Sequence, residues 1–278
     1  MGESPGVTEL PIRSMYRAPK GKTLCAFDLS AAEAWIVAYL SNDPNMKREL
    51  ADGDLHSYSA TGIYDLKIDF SVPGKAKYEG IVTKDQRYIG KKMNHAGNYR
   101  TGPFKIAEFI NKEGNITISV ADAKLFHSKW LTAFNLQNWW NEIDIIATTT
   151  RTMTTCYGFR RKFWGIYNED LKKEMTAFEP QSTVADHMHG AIHPELGIRG
   201  GNIGIYEDIV LPSNGDIAMC NTAHDSVMLE VPTGIVSEII PRVVSLLRRP
   251  LVIRGEEFTI PVDAEIGERW GELEKVKV

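Results

Sequence analysis

The order of textures along this chain constrains its fold more tightly than any one motif: β-like runs at both ends enclose a long helical middle. "KTLCAFDLS" (22–30) is apolar and β-compatible, and it leads directly into the alanine-rich, helical "AAEAWIVAYLS" (31–41). Asp28 therefore falls at a strand end. "PNMKRELAD" and "DLHSYSATGIY" read as two short helices, opened by a first-turn proline and an N-cap aspartate. Residues 66–84, with Pro73 and Gly74, read as a loop, and the tryptophan-bearing stretch 120–158 as two or three helices. From "DIAMCNTAHDSVMLEVP" (216–232) the texture becomes two β-like runs around the polar turn His224-Asp225. The tail adds a helix, "GIVSEIIPRVVSLLRRP", and a strand-like "EFTIPVDAEI".

With 278 residues, 43% of them hydrophobic, the chain can bury a substantial core in one large domain or two subdomains. Cys25, Cys156 and Cys220 have no paired spacing, so free thiols and a reducing, cytoplasmic setting are expected. The N-terminal stretch has no apolar signal region, and runs such as "WIVAYL" are too short to span a bilayer. No membrane partner is expected. A net charge of −4 does not mark a general polyanion binder, yet the cations cluster, most densely from Lys84 to Lys105. Within that group "RYIGKKMNHAGNYR" (87–100) spaces Arg87, Lys91, His95 and Tyr99 four residues apart, within an arc of roughly 120° on a helix. Such a stripe is either a solvated charged face or a grip for several negative charges and a flat ring, as in a nucleoside triphosphate.

Asp28 at a strand end and Asp225 in a hairpin turn both occupy places where a carboxylate emerges from a sheet edge. Either alone is an ordinary cap or turn residue. Together they are able to share two divalent ions, whose oxygen-rich, near-octahedral preference suits magnesium and in-line phosphoryl displacement.

Several segments in order carry a family resemblance. "FDLSAAEAWIVAYLSNDPNMKRELADGDLHSYSA" resembles the first palm motif of the family A DNA polymerases, "RYIGKKMNHAGNY" their fingers helix, and "AHDSVMLEV" their His-Asp turn. "YGFRRKFW", "PQSTVADHM" and the closing "IPVDAEIGERWGEL" follow the same order, and the resemblance runs from about Leu10 to the last residues. It implies an α+β fold: an antiparallel-sheet palm (1–41 and 168–278) with mostly helical fingers (42–167), in a right-hand architecture without a thumb. It implies a template-directed DNA polymerase core that adds deoxynucleotides to a primer 3′ end.

The resemblance assigns roles residue by residue. Asp28 and Asp225, with the backbone carbonyl of Leu29, would bind two Mg2+ ions, with Mn2+ as a substitute. Arg87 and Lys91 would hold the triphosphate, with Lys91 counted among the catalytic groups beside the two aspartates. Glu33 matches the steric gate against a ribose 2′-hydroxyl, and His56 a histidine near the β-phosphate. Tyr99 matches the floor of the nascent base-pair pocket, Gln181 a reader of the minor groove, and His224 a contact to the primer terminus. Departures accompany these matches. His95 stands where Phe or Tyr is usual and is a group able to carry charge near neutral pH. Arg100, placed among the DNA contacts, stands where a glycine usually follows the tyrosine. Lys173, also a DNA contact, replaces an arginine, and Ser226 replaces a glutamate after His-Asp. The implied partners are primer-template DNA, deoxynucleoside triphosphates and a separate polypeptide supplying thumb or exonuclease function, in a bacterial or phage-infected cell. A weakened paralogue acting as a primer-template-binding scaffold is the alternative, with Ser226 in its favour.

Overall fold

The computed structural model describes residues 12–113 and 116–278. Leu10 and the rest of residues 1–11, on which the expected start of the resemblance and the missing thumb were read, lie outside them. The chain divides into two compact units. One comprises residues up to 32, 184–251 and 258–278, and the other 33–183 with 252–257.

The first unit is built on an antiparallel sheet. Strand β1 (Lys22–Leu29) is central because it is apolar on both sides over most of its length, with Leu24, Cys25, Phe27 and Leu29 buried. After residues 33–183 of the other unit, the chain returns through the C-terminal part of α8 (Glu169–His189), α9 (Gly201–Ile205), β4 (Ala218–Ala223) and β5 (Ser226–Pro232). Helix α10 (Val236–Leu247), β8 (Val262–Gly267) and β9 (Glu274–Val276) complete it, with the sheet order β4-β5-β1-β8-β9, while β6 (Pro250–Ile253) and β7 (Glu256–Thr259) form a separate two-stranded sheet whose residues 252–257 belong to the other unit. The segment read as one run, "EFTIPVDAEI", is two strands, because the stretch through Pro261 breaks the ladder. Helix α10 buries Val236, Ile239, Val243, Val244 and Leu247, a helical stripe, and packs on β1, β5 and β8. Its face of the sheet is apolar. On the other face β1 presents Leu24, Ala26 and Asp28, since successive side chains alternate across a strand.

The second unit is mostly helical: α1 (Ala32–Leu40), α2 (Pro44–Asp52), α3 (Leu55–Ile63), α4 (Lys84–Gly97), α5 (Pro103–Lys112), α6 (Val120–Ala133) and α7 (Gln137–Thr148), followed by the hairpin β2 (Thr152–Thr154) and β3 (Arg160–Lys162) and the first part of α8. Asp43 and Asp54 cap α2 and α3, and Thr83 with Gln86 forms a reciprocal capping box on α4. Helices α3 and α4 pack closely because α4 offers a glycine at the crossing. A Cβ on Gly90 would lie 2.1 Å from the carbonyl oxygen of His56. Gly90→Ala must push the two helices apart, so urea unfolding is expected to show a loss of about 1–3 kcal/mol. An unchanged midpoint would mean that the crossing is not tight.

Candidate active site

Two clusters of functional side chains form, one in each unit. In the first, Asp28 is the next-to-last residue of β1 and faces Ser226 of β5 on one side and Asp263 of β8 on the other. His224 and Asp225 make the two-residue turn between β4 and β5, and His224 takes the left-handed conformation (φ +43°) that such tight turns require. The backbone N–H of Leu29 donates to the carbonyl oxygen of Asp225 at 2.9 Å, which ties the turn to the end of β1. Ser226 Oγ donates to Ala223 O at 3.0 Å and braces the same turn. The sheet thus brings together two aspartates far apart in sequence.

These groups line a cavity of about 650 Å³ together with Asp263, Glu265 and Lys275. Burial in this concave floor, then the charges of Asp225, Asp263 and Glu265, push the Asp28 carboxyl up to about 6, against an opposing pull from Lys275. Asp28 itself keeps solvent contact, so an ion from solution has access to it. Lys275 Nζ lies 3.6 Å from Asp263. The carboxylates of Asp28, Asp225, Asp263 and Glu265 offer oxygen donors and a net negative charge, which fits a hard divalent cation. Among the described residues no group of three or more His, Cys, Asp or Glu is gathered as a ready metal cage. An ion here would complete its shell with backbone, water and substrate oxygens. Asp263 and Glu265 escaped the sequence reading, although the alternation in "VDAEI" sets both on one face.

In the second cluster, Arg87, Lys91 and His95 lie along the exposed side of α4, while Ile89, Gly90, Met93, Asn94 and Gly97 form its buried side. The stripe is real but one member departs from it. The helix ends at Gly97, and Tyr99 lies beyond it in a turn, where its hydroxyl bonds Glu33 Oε2 on α1. Glu33 is thereby half-buried and partnered, not a solvated helix glutamate. Burial and the Glu33 charge hold the Tyr99 hydroxyl well above its usual range.

Arg87 donates through Nε to Asp54 Oδ2 (2.6 Å) and through Nη2 to Oδ1 (3.3 Å), while Asp54 also caps α3. Burial raises the Asp54 carboxyl, but Arg87 and Ser57 outweigh it and hold it below the usual carboxylate range. Lys91 is exposed and makes no hydrogen bond or ion pair among the described residues. Burial, then Lys91 and Lys92, lower the His95 imidazole below its usual value. His56, on α3, lies with its ring centroid 6.0 Å from that of His95.

The remaining candidates are dispersed. Gln181 is exposed on α8, and Lys173, half-buried on the same helix, lies 3.7 Å from Asp170. The side chain of Arg100 is largely buried instead of presenting charge to DNA. Its Nη1 bonds Asp144 at 2.7 Å, its Nη2 bonds Trp140 O, and the guanidinium lies over the Trp140 ring. Its φ of +59° is the conformation a glycine would adopt without cost, and these contacts offset the strain of about 1 kcal/mol that a side chain brings there.

The sequence model for DNA polymerase family A matches residues 6–272. The chain is 22% identical over 265 residues to DNA polymerase I of Aquifex aeolicus, a match covering 93% of the chain and 41% of the relative. It is 24% identical over 279 residues to the DNA polymerase of Bacillus phage SP01, covering 94% and 27%. Among solved structures, the POL domain of Pol1 from M. smegmatis in complex with DNA primer-template and dNTP aligns with a TM-score of 0.71 at 20% identity, over 96% of this chain and 44% of that one. The chain thus spans less than half the length of these relatives. No helix among the described residues is long and apolar enough to cross a membrane.

Proposed function

Since the chain belongs to DNA polymerase family A, we propose that it carries the catalytic core of a DNA-directed DNA polymerase, joining deoxynucleoside monophosphates to a primer 3′ end in template order. The observation that carries this reading is the meeting of Asp28 and Asp225 on an open, acidic sheet face, with Leu29 bonded to the turn between them. In this reading the sheet unit is the palm and the helical unit the fingers.

Asp28, Asp225 and the carbonyl of Leu29 would hold two magnesium ions, with manganese as a substitute, and the bound metal would supply activation of the primer hydroxyl and charge neutralisation at the departing pyrophosphate. The chain's own residues do the rest. Lys91 and Arg87 place positive charge on the triphosphate, and the tie from Arg87 to Asp54 fixes its guanidinium before nucleotide arrives. His56 meets the β-phosphate and His95 and Tyr99 border the base. Gln181, Lys173 and His224 contact primer-template, whereas Arg100 acts as an internal anchor for the turn after α4. A separate polypeptide supplying further grip on the duplex, and a site of action in the bacterial or phage-infected cytoplasm, belong to the same proposal.

Glu33 is the sugar gate, held in place by Tyr99. Glu33→Ala is expected to raise the efficiency of ribonucleotide over deoxyribonucleotide incorporation by about tenfold or more, read as a ratio of kcat/KM values. An unchanged ratio would leave Glu33 as a structural partner of Tyr99 only. The function itself is tested by primer extension with magnesium and a defined template. Extension that follows the template supports it, and binding of primer-template without extension would favour a scaffold.

A further inference from the structure

Asn94 is a polar side chain on the apolar side of α4, and it is 2% exposed. Its Oδ1 lies 2.7 Å from the indole Nε1 of Trp130 and 2.6 Å from Ser59 Oγ. Its Nδ2 lies 3.3 Å from the carbonyl oxygen of Leu55 and 3.0 Å from Nδ1 of His56. An indole N–H only donates and a backbone carbonyl only accepts. Turning the amide over would set donor against donor at Trp130 and acceptor against acceptor at Leu55, so the amide has one orientation. Trp130 is itself fixed, with no exposed surface, and it packs against α4 where Gly97 leaves room. A Cβ there would lie 2.5 Å from the ring.

With the amide so fixed, Nδ2 donates to His56 Nδ1, and the proton of the neutral imidazole sits on Nε2. Nε2 makes no hydrogen bond among the described residues. We propose that Asn94 is a positioning residue: locked by Trp130 and Leu55, it holds His56 as the Nε2–H tautomer, so that the ring offers a neutral N–H donor to a phosphate oxygen. This inference rests on the nucleotide-binding reading of the same helices. The charged form is disfavoured on two grounds. Protonation of Nδ1 would face it toward the Asn94 amide hydrogens. In addition burial, then Arg87, His95 and Lys91, lower the imidazole to about 4 against the pull of Asp54. The neutral form leaves charge neutralisation to Arg87 and Lys91 and makes the His56 contact a directional hydrogen bond, insensitive to pH across the physiological range.

The test is long-range 1H–15N correlation on the full chain with 15N-labelled histidine, first without nucleotide at pH 7. His56 is expected to show the Nε2–H pattern and to remain unprotonated until well below pH 5. Asn94→Asp is close to isosteric but only accepts at this position, so it should move the proton to Nδ1 and raise the pH at which His56 titrates. It should weaken dATP binding with magnesium by about tenfold by titration calorimetry. In the wild-type protein, dATP with magnesium should shift the Nε2–H resonance and leave the tautomer unchanged. An Nδ1–H tautomer in the wild-type spectrum would overturn the proposal even if Asn94→Asp fails to fold. So would an Nε2–H pattern retained in Asn94→Asp, or bound dATP that leaves the His56 resonance unmoved. A wild-type chain that shows the expected tautomer but binds no dATP would preserve the lock and overturn the nucleotide-site reading it serves.

Discussion

Asp28→Asn and Asp225→Asn are each expected to lower magnesium-dependent primer extension by at least about a thousandfold while primer-template binding stays near that of the parent, because the lost oxygens hold charge for the chemistry and do not touch the duplex. Single-turnover incorporation beside a DNA-binding titration reads both quantities. Retained incorporation in either variant would remove the two-carboxylate assignment. The fold gives a separate control. Burial and the neighbouring carboxylates push the Asp28 carboxyl up to about 6 in the folded chain, above the usual carboxylate value near 4. A raised carboxyl is best tolerated below its unfolded value, and its ionisation costs stability as pH rises through about 6. Metal-free Asp28→Asn is therefore expected to melt slightly above the parent at pH 8, with the advantage fading as pH falls from 6 toward 4. A variant that is more stable and chemically dead separates loss of chemistry from loss of fold.

Lys91→Ala carries the second large effect. Lys91, on the exposed stripe of α4, has no hydrogen bond or ion pair among the described residues, unlike Arg87 on Asp54 and Lys92 on Glu113. Its removal is expected to lower kcat/KM for each deoxynucleotide by about 10- to 100-fold, with primer-template affinity unchanged. Lys91→Arg should recover part of the loss, since charge is kept while geometry changes. Equal losses in Lys91→Ala for nucleotide use and for DNA binding would make the residue a general phosphate contact. No loss would make the stripe a solvated face.

What the sequence made legible was what depends on local pattern. The apolar run ending in Asp28 and the polar pair between two β-like runs both carry their positions in neighbouring residues, and the structure places them at a strand end and in a tight turn. The exposed side of α4 follows from spacing alone. The partners did not. Arg87 finds Asp54, and Asn94 finds His56 and Trp130, by helix packing that no local window records. Tyr99 left the helix because the chain turns at Gly97 and Arg100 adopts positive φ, which the regular spacing of the stripe concealed. Asp263 was hidden for a different reason. It lies in a segment read only as a strand, and its role appears once the register sets it beside Asp28. One signal was present and unread: an asparagine in the middle of an apolar helix face, flanked by Ile89, Met93 and two glycines, has to be satisfied by specific partners.

Single-nucleotide incorporation tests the central claim most directly. The full chain is mixed with a primer annealed to each of four templates that differ in one templating base, and each deoxynucleotide is offered alone with magnesium. Extension by one residue only with the complementary nucleotide, abolished by chelation and by Asp225→Asn, is the predicted result. Binding of primer-template and nucleotide with no extension on any template, or extension that survives Asp225→Asn, would contradict it.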